Sequence, residues 1–251
     1  MMKQVLILSI VFLCSFLTSH SVIAESKADW PSPVMDEETF ALTIFDLLEF
    51  QSTENNGSFN WDFVSWRGSD IHRLWVKSEG AYGLSSPRRG DADMHVLYGK
   101  LVTSYYDAQI GARLEQTLGD GPRLSRVSAV LGLQGLAIYI FEFESALFIA
   151  GGGHIAGRIA ATKDFRFTQQ AIVQARIETN AAAKKSDEFE MGSGINDLEL
   201  GLRLRYEFKR EIAPYIGLTW SSLYGETARY KKLSGRKSSG LNAVCGIRLW
   251  F

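Results

Sequence analysis

Cysteine is nearly absent from this chain, and what remains cannot form a structural cross-link. The 251 residues include two cysteines, Cys14 and Cys245. Residues 1–24 have the features of a secretory signal peptide, with Lys3 ahead of an apolar core and a small-residue exit at Ala24. Because removal of that segment takes Cys14 with it, the predicted mature chain keeps one thiol, and an intramolecular disulfide is excluded.

The chain also lacks a long apolar run and a net charge. Beyond the predicted signal, no stretch reaches the ~18 apolar residues that a membrane-spanning helix needs. A chain without such a helix can cross a membrane only as a closed β-barrel, in which every backbone polar group finds a partner. The formal net charge of −1 offers no basic field, so no nucleic-acid partner is expected. With 5 prolines against 23 glycines, the composition suits one large all-β domain.

What the chain does have is a strict alternation of apolar and polar residues. Residues 198–208 carry leucine, tyrosine or phenylalanine at every even position, and Glu199, Arg203 and Arg205 are among the odd ones. A period of two keeps these sets on opposite faces of a strand, whereas helical spacing would mix them. The chain ends on Phe251 after another alternating stretch, which resembles the C-terminal strand that outer-membrane barrels present to their insertion machinery.

Further segments of this kind are separated by connections that alternate between tight and loose. The candidate strands cover 38–50, 58–67, 71–82, 92–103, 106–117, 124–134, 138–149, 155–165, 170–180, 196–208, 212–229 and 240–251. Outer-membrane barrels have short periplasmic turns, longer outer loops and even strand numbers. We therefore predict a closed antiparallel transmembrane β-barrel of about twelve strands over 38–251, or about ten if 38–50 is an amphipathic helix and two segments merge. Residues 25–37 are then a short periplasmic extension.

Alternation alone does not say which face of the barrel is inside, and a soluble barrel would turn its charges outward. Glycines and long charged side chains of both signs share the polar face, and aromatic residues crowd the strand ends as in interfacial girdles. We therefore expect the aliphatic face to contact outer-membrane lipid and the charged residues to pair inside. The alternative for the interior acids is a polar path or cation site lined by Glu142, Glu144, Glu199 and Glu207.

Several phrases of the sequence resemble the copper resistance protein B family of outer-membrane proteins. They are RLWVKSEG at 73–80, YDAQIGAR at 106–113, VLGLQGLA at 130–137, GSGINDLELGLRLRYE at 192–207 and APYIG at 213–217. The resemblance implies an exported barrel of the cell outer membrane that works in copper tolerance. It also implies that the barrel binds or passes copper ions without needing them to fold, and that it meets periplasmic copper proteins.

Copper ligands are scarce here, which departs from the His/Met-rich stretch that relatives often carry after the signal. Copper favours thioether and imidazole ligands, and residues 25–37 hold one methionine and no histidine. Met94, His95, His154 and Met191 all fall at or near the outer ends of predicted strands, so we predict that they converge at the barrel mouth as a low-affinity metal site. The alternative is that they are ordinary rim and loop residues of a small pore or closed structural barrel without a dedicated metal site.

No arrangement in the sequence indicates an enzyme. His95 or His154 with Ser145 or Ser193 lacks any motif that would mark a nucleophile and its base. The glycines at 151–153 follow no phosphate-binding pattern. We therefore expect no catalytic residues.

Overall fold

The computed structural model of the chain describes residues 39–52, 57–137 and 141–251. Twelve antiparallel strands form one closed barrel in which each strand pairs with its neighbours in sequence and the first pairs with the last. This confirms the predicted all-β barrel, with twelve strands rather than ten. The predicted signal peptide 1–24 and extension 25–37 lie outside the described residues.

The strands and the helix of the barrel are named in chain order. They are β1 Phe40–Ser52, β2 Gly57–Gly68, β3 His72–Gly83, β4 Arg89–Thr103, β5 Tyr106–Gly119, β6 Ser125–Ala137, β7 Phe141–Ala150, β8 His154–Arg166, β9 Ala171–Ala182, β10 Gly194–Tyr206, β11 Ile212–Leu223, α1 Gly225–Leu233 and β12 Ser239–Trp250. No helix within the described ranges has the length and apolar character of a membrane span.

Strands β1 and β12 close the barrel. The backbone N–H of Phe251 donates to the Thr43 carbonyl at 2.8 Å, and the N–H of Thr43 donates to the Phe251 carbonyl at 3.0 Å. The register of β1 shifts between Phe45 and Leu48 against β12 and between Phe45 and Leu47 against β2, which places a bulge at Asp46. Residues 40–50 therefore form a strand and not an amphipathic helix, because without β1 the edges of β2 and β12 would expose unpaired backbone groups.

The alternation places aliphatic side chains outside the barrel and charged ones inside. On β10, Leu200 and Leu202 are 41% and 52% exposed, whereas Arg203 is 2% exposed. On β12, Cys245 is exposed and the neighbouring Val244 is buried. A band of exposed aliphatic residues on successive strands is stable against lipid but not against water. The predicted orientation of the two faces is confirmed.

The two ends of the barrel differ in their connections. Tight turns such as 69–71 and 104–105 lie at one end, called the turn end, and longer connections such as 183–193 and 224–238 lie at the other, called the loop end. The prediction of one strand over 212–229 is wrong beyond Leu223, because the chain turns at Gly225, with a positive φ of 55°, and continues as α1.

Candidate functional site

Ion pairs cross-link the barrel interior between strands that are far apart in sequence. Arg203 donates from Nε and Nη2 to the two carboxylate oxygens of Glu49 at 2.8 and 3.0 Å. Lys77 donates to Glu144 at 2.7 Å. Further pairs are Arg73–Asp107, Arg126–Glu115, Arg205–Asp164 and Arg248–Asp46. The predicted ion-paired interior is therefore confirmed.

The four acids considered for a polar path do not share one site. Glu144 is held by Lys77, and Glu142 lies at the turn end, at the beginning of β7. Glu207 directly follows β10 at the turn end. Glu199 lines a cavity whose other lining residues include some from the loop end. The register of the strands thus distributes these carboxylates along the barrel.

A cavity of about 400 Å³ lies in the barrel near the loop end. Nine acidic and five basic side chains are among the described residues that line it, so its formal charge is negative. The acidic side chains are Glu49, Asp62, Glu79, Asp91, Asp93, Glu178, Glu190, Asp197 and Glu199, and the basic ones are Arg113, Arg158, Arg176, Arg203 and Lys231. A concave surface of one net sign with low-dielectric walls concentrates ions of the opposite sign, here cations.

Within this region Glu79, Asp93 and His95 form a group that we call the β3–β4 cluster. Glu79 lies directly opposite Asp93 across the β3–β4 pairing, and His95 is the next inward residue of β4, further from the loop end. One potential ligand atom of each residue lies within 4.8 Å of those of the other two. His95 is 5% exposed, and its ring meets that of Phe148 edge-on, with the ring centres 5.8 Å apart.

Both carboxylates of the β3–β4 cluster also contact arginine. Arg158 donates to Glu79, and Arg113 donates to Asp93 at 2.5 Å. Oδ1 of Asp93 and Nε2 of His95 are nevertheless buried, and neither has a hydrogen-bond partner in the described part of the chain. The cluster therefore combines two paired carboxylates with two unsatisfied acceptor or donor atoms.

The four predicted metal ligands do not converge on one point. Met94 lies on the outer face of β4 together with Val96, which is 42% exposed, while His95 lies inside. His154 and Met191 line a second, smaller cavity of about 10 Å³ at the loop end. The structure thus brings His154 and Met191 to one small cavity, places His95 deeper in the barrel and separates Met94 from the other three.

The sequence patterns do not identify Asp93 as a candidate ligand. They also do not show that Glu79 lies close to His95. Parity does place Glu79, Asp93 and His95 on inward faces. The missing information is the register of β3 against β4, which depends on the connection 84–88. The sequence signal for this cluster is an inward histidine on one strand with inward acids on the same strand and on its neighbour.

Two loop-end connections, 183–193 and 224–238, form a cap beside the cavity. Thr227 of α1 accepts from the Gly192 N–H at 2.8 Å and donates to Asn196 at 3.0 Å, and these contacts are buried. Tyr230 donates to Asp187, and this hydrogen bond holds the pKa of Asp187 below its ordinary value.

Charged side chains of the cap are held close to the cavity. Glu190 accepts from Arg236 at 2.8 Å and lies 3.7 Å from Arg89. Lys231 lines the cavity, and burial lowers its pKa, with a further contribution from the nearby charge of Arg236. The cap therefore contributes both signs of charge to the cavity wall.

Replacing Thr227 by alanine is expected to loosen the cap while leaving the barrel folded. The Gly192 N–H and the Asn196 side chain lose their shared hydroxyl, and a buried unsatisfied group costs about 1–3 kcal/mol. Faster hydrogen exchange or protease cleavage within 183–193 would measure the change. Thr227→Ser keeps the hydroxyl and should behave as the parent protein; equal protection in both variants would contradict the role given to this contact.

Known proteins resemble the chain in sequence and in fold. The family described as copper resistance protein B precursor (CopB) matches residues 39–251. Copper resistance protein B of Escherichia coli is 38% identical over 210 residues, covering 84% of this chain and 69% of that protein. The copper resistance protein B homolog of Pseudomonas syringae pv. tomato is 35% identical over 218 residues, covering 87% of this chain and 72% of that protein. The solved structure of the NanC porin has a TM-score of 0.51 at 11% identity, covering 84% of this chain and 99% of that one, and shares the barrel fold.

Proposed function

The chain belongs to the copper resistance protein B family, and from this premise we propose that the barrel binds copper ions in its interior or allows their passage across the outer membrane. Family membership and the barrel fold support a role in copper resistance at that membrane. Copper is the cargo in this proposal, so the chain needs to bind and release an ion and to catalyse no reaction.

The acidic cavity near the loop end is the observation that carries the proposal. Its nine acidic and five basic side chains favour a cation over an anion. The attraction is stronger than at an open surface because the surrounding barrel wall keeps the effective dielectric constant low. The nearby imidazole of His95 adds a ligand type that copper prefers.

We also propose that His154 and Met191 meet copper before it reaches the acidic cavity. They supply an imidazole and a thioether, which are neutral ligands of copper in its two common oxidation states. Coordination and not charge draws the ion here, because the described lining of the smaller cavity includes Arg113, Arg126 and Lys184 and no acidic residue. The two cavities share Arg113, Phe148, Ala156 and Met191 as lining residues, so an ion at the smaller one is next to the larger one. Met94 has no part in this proposal because its side chain lies on the outer face.

Deleting the gene is expected to lower the copper concentration that cells tolerate, and expression of the intact chain should restore tolerance. Growth across a copper series is the measurement. Growth with a bulky antibiotic is the control, since a general defect of the outer membrane would change that as well. Unchanged copper tolerance after deletion would favour the alternative function, a small or closed structural barrel without a dedicated metal site.

A further inference from the structure

We propose that the β3–β4 cluster of Glu79, Asp93 and His95 is a Cu(II) site, and that Arg158 and Arg113 release its carboxylates when the metal binds. The choice of copper among divalent cations rests on the proposed function. The site itself rests on the positions and contacts of these five side chains.

The spacing of the cluster suits a bound metal after small side-chain movements. Nitrogen and oxygen ligands bind such ions at about 2.0–2.2 Å, so two ligand atoms on one ion lie at most about 4.4 Å apart. The ligand atoms of the cluster already lie within 4.8 Å of one another. Because Glu79 and Asp93 are directly opposed in the β3–β4 pairing, rotation of the side chains can close the remaining gap without moving the backbone.

Two buried atoms of the cluster are available to bind a ligand. Nε2 of His95 and Oδ1 of Asp93 are buried and have no hydrogen-bond partner in the described ranges. His95 is 5% exposed and packs against Phe148, so bulk water does not readily reach its Nε2. Buried polar groups are normally bonded, and a metal ion accepts electron pairs from both a neutral imidazole and a carboxylate.

The donor types favour Cu(II) over Cu(I). The cluster offers one imidazole and two carboxylates, whereas Cu(I) is selected by soft thioether and thiolate ligands. Met94, the methionine adjacent to His95 in sequence, lies on the outer face and cannot turn to this site within the strand.

Each arginine keeps an acidic neighbour when it gives up its cluster carboxylate. Arg158 also donates to Glu178 at 3.0 Å, and Arg113 lies 3.9 Å from Glu115. Breaking a buried ion pair is costly because it usually leaves one charge without a partner. Metal binding at Glu79 and Asp93 avoids this cost, because each guanidinium keeps an acidic neighbour.

The cation opposite His95 on β3 is also engaged elsewhere. Lys77 faces His95 across the β3–β4 pairing, but its Nζ donates to Glu144 at 2.7 Å and to Gln134 at 2.8 Å. The ammonium group is thus neutralised by a carboxylate outside the cluster, which reduces its repulsion of an incoming metal.

The test is a titration of the purified full-length barrel in detergent with Cu(II) sulfate against a competing chelator, followed by electron paramagnetic resonance. We expect a Cu(II) spectrum with coupling to one imidazole nitrogen, and the same spectrum from His154→Ala, which removes the imidazole that lines the smaller cavity. His95→Ala should lose that coupling and weaken binding by at least about tenfold. His72→Ala is the matched control, because His72 is exposed at the turn end and stacks on Tyr98. Asp93→Asn, which keeps the side-chain shape, should also weaken binding about tenfold and serves if His95→Ala does not fold.

A second variant separates ligand exchange from a purely structural role. Arg158→Gln should tighten Cu(II) binding by about tenfold, because one charge-assisted hydrogen bond to Glu79 no longer competes with the metal. Arg158→Lys keeps the charge and should stay closer to the parent affinity. Heat-modifiable mobility on gels checks that each variant has folded. Unchanged or weaker Cu(II) binding by folded Arg158→Gln would contradict the exchange.

Different results would contradict the Cu(II) site at the β3–β4 cluster and the proposed role of the barrel in copper binding or passage. A barrel that binds Cu(II) equally well with and without His95 overturns the cluster assignment and leaves the proposed function in place. A barrel that binds neither Cu(II) nor Cu(I), in cells whose copper tolerance does not depend on the gene, overturns both.

Discussion

Arg203→Met should lower the free energy of unfolding of the refolded barrel by about 3–5 kcal/mol. The side chains of Arg203 and Glu49 are 3% and 2% exposed, so the substitution leaves a carboxylate inside the barrel without its partner. The buried charge, and not the lost contact alone, accounts for most of this cost. Urea unfolding in lipid vesicles measures the change through the transition midpoint at constant slope.

The double variant Glu49→Leu with Arg203→Met is the control for that result. Replacing a buried ion pair by apolar side chains of similar size is often neutral or stabilising, so the double variant should regain most of the stability lost in the single one. A double variant as unstable as the single variant would show that packing around Arg203, and not the unpaired charge, is responsible. Gly201 leaves room for the Arg203 side chain in the parent barrel, because a Cβ there would lie 2.5 Å from Nη1 of Arg203.

Leu200→Arg is expected to destabilise the barrel in vesicles by about 2–4 kcal/mol, the cost of a cation on the lipid face at the bilayer midplane. Leu200 lies in the middle of β10, between Ile177 of β9 and Trp220 of β11, and its side chain is 41% exposed. Unfolding of the refolded variant in vesicles, compared with the parent chain, gives the value.

Tyr206→Arg is the matched variant on the same face of β10. Tyr206 is the last residue of the strand at the turn end, where lipid headgroups and water can solvate a charge, and the expected cost is about 0–1 kcal/mol. Similar costs at Leu200 and Tyr206 would mean that depth has no influence, which would contradict a lipid-spanning β10.

The fold could be predicted where alternation is uninterrupted and where the connections are clear. In β10 and β12 the period of two assigned each side chain to a face directly. In β1 the bulge at Asp46 breaks that period, so 38–50 could also be read as an amphipathic helix, and the even strand number was needed to decide. The error over 212–229 has a local cause, since the apolar residues of β11 run into a connection whose helix begins at Gly225.

The candidate site was harder to predict because it depends on which strands are neighbours and at what register. Parity places Glu79, Asp93 and His95 inside, but only the pairing of β3 with β4 shows that they meet. The separation of Met94 from His95 has a different cause and needs no pairing information, since neighbouring residues of one strand point to opposite faces. The convergence of His154 and Met191 depends on the path of the connection 183–193, which short-range patterns do not specify.

The bulge in β1 limits how the seam of the barrel can slip. On one side of Asp46, Phe45 matches Leu249, and on the other side Leu48 matches Ile247, so the two halves of β1 meet β12 with opposite parity. Sliding β1 by one residue along β12 would turn Glu49 towards lipid and would break the register on both sides of the bulge. The seam between β1 and β12 therefore resists a one-residue shift, because such a shift would exchange the sides that face lipid and the charged interior.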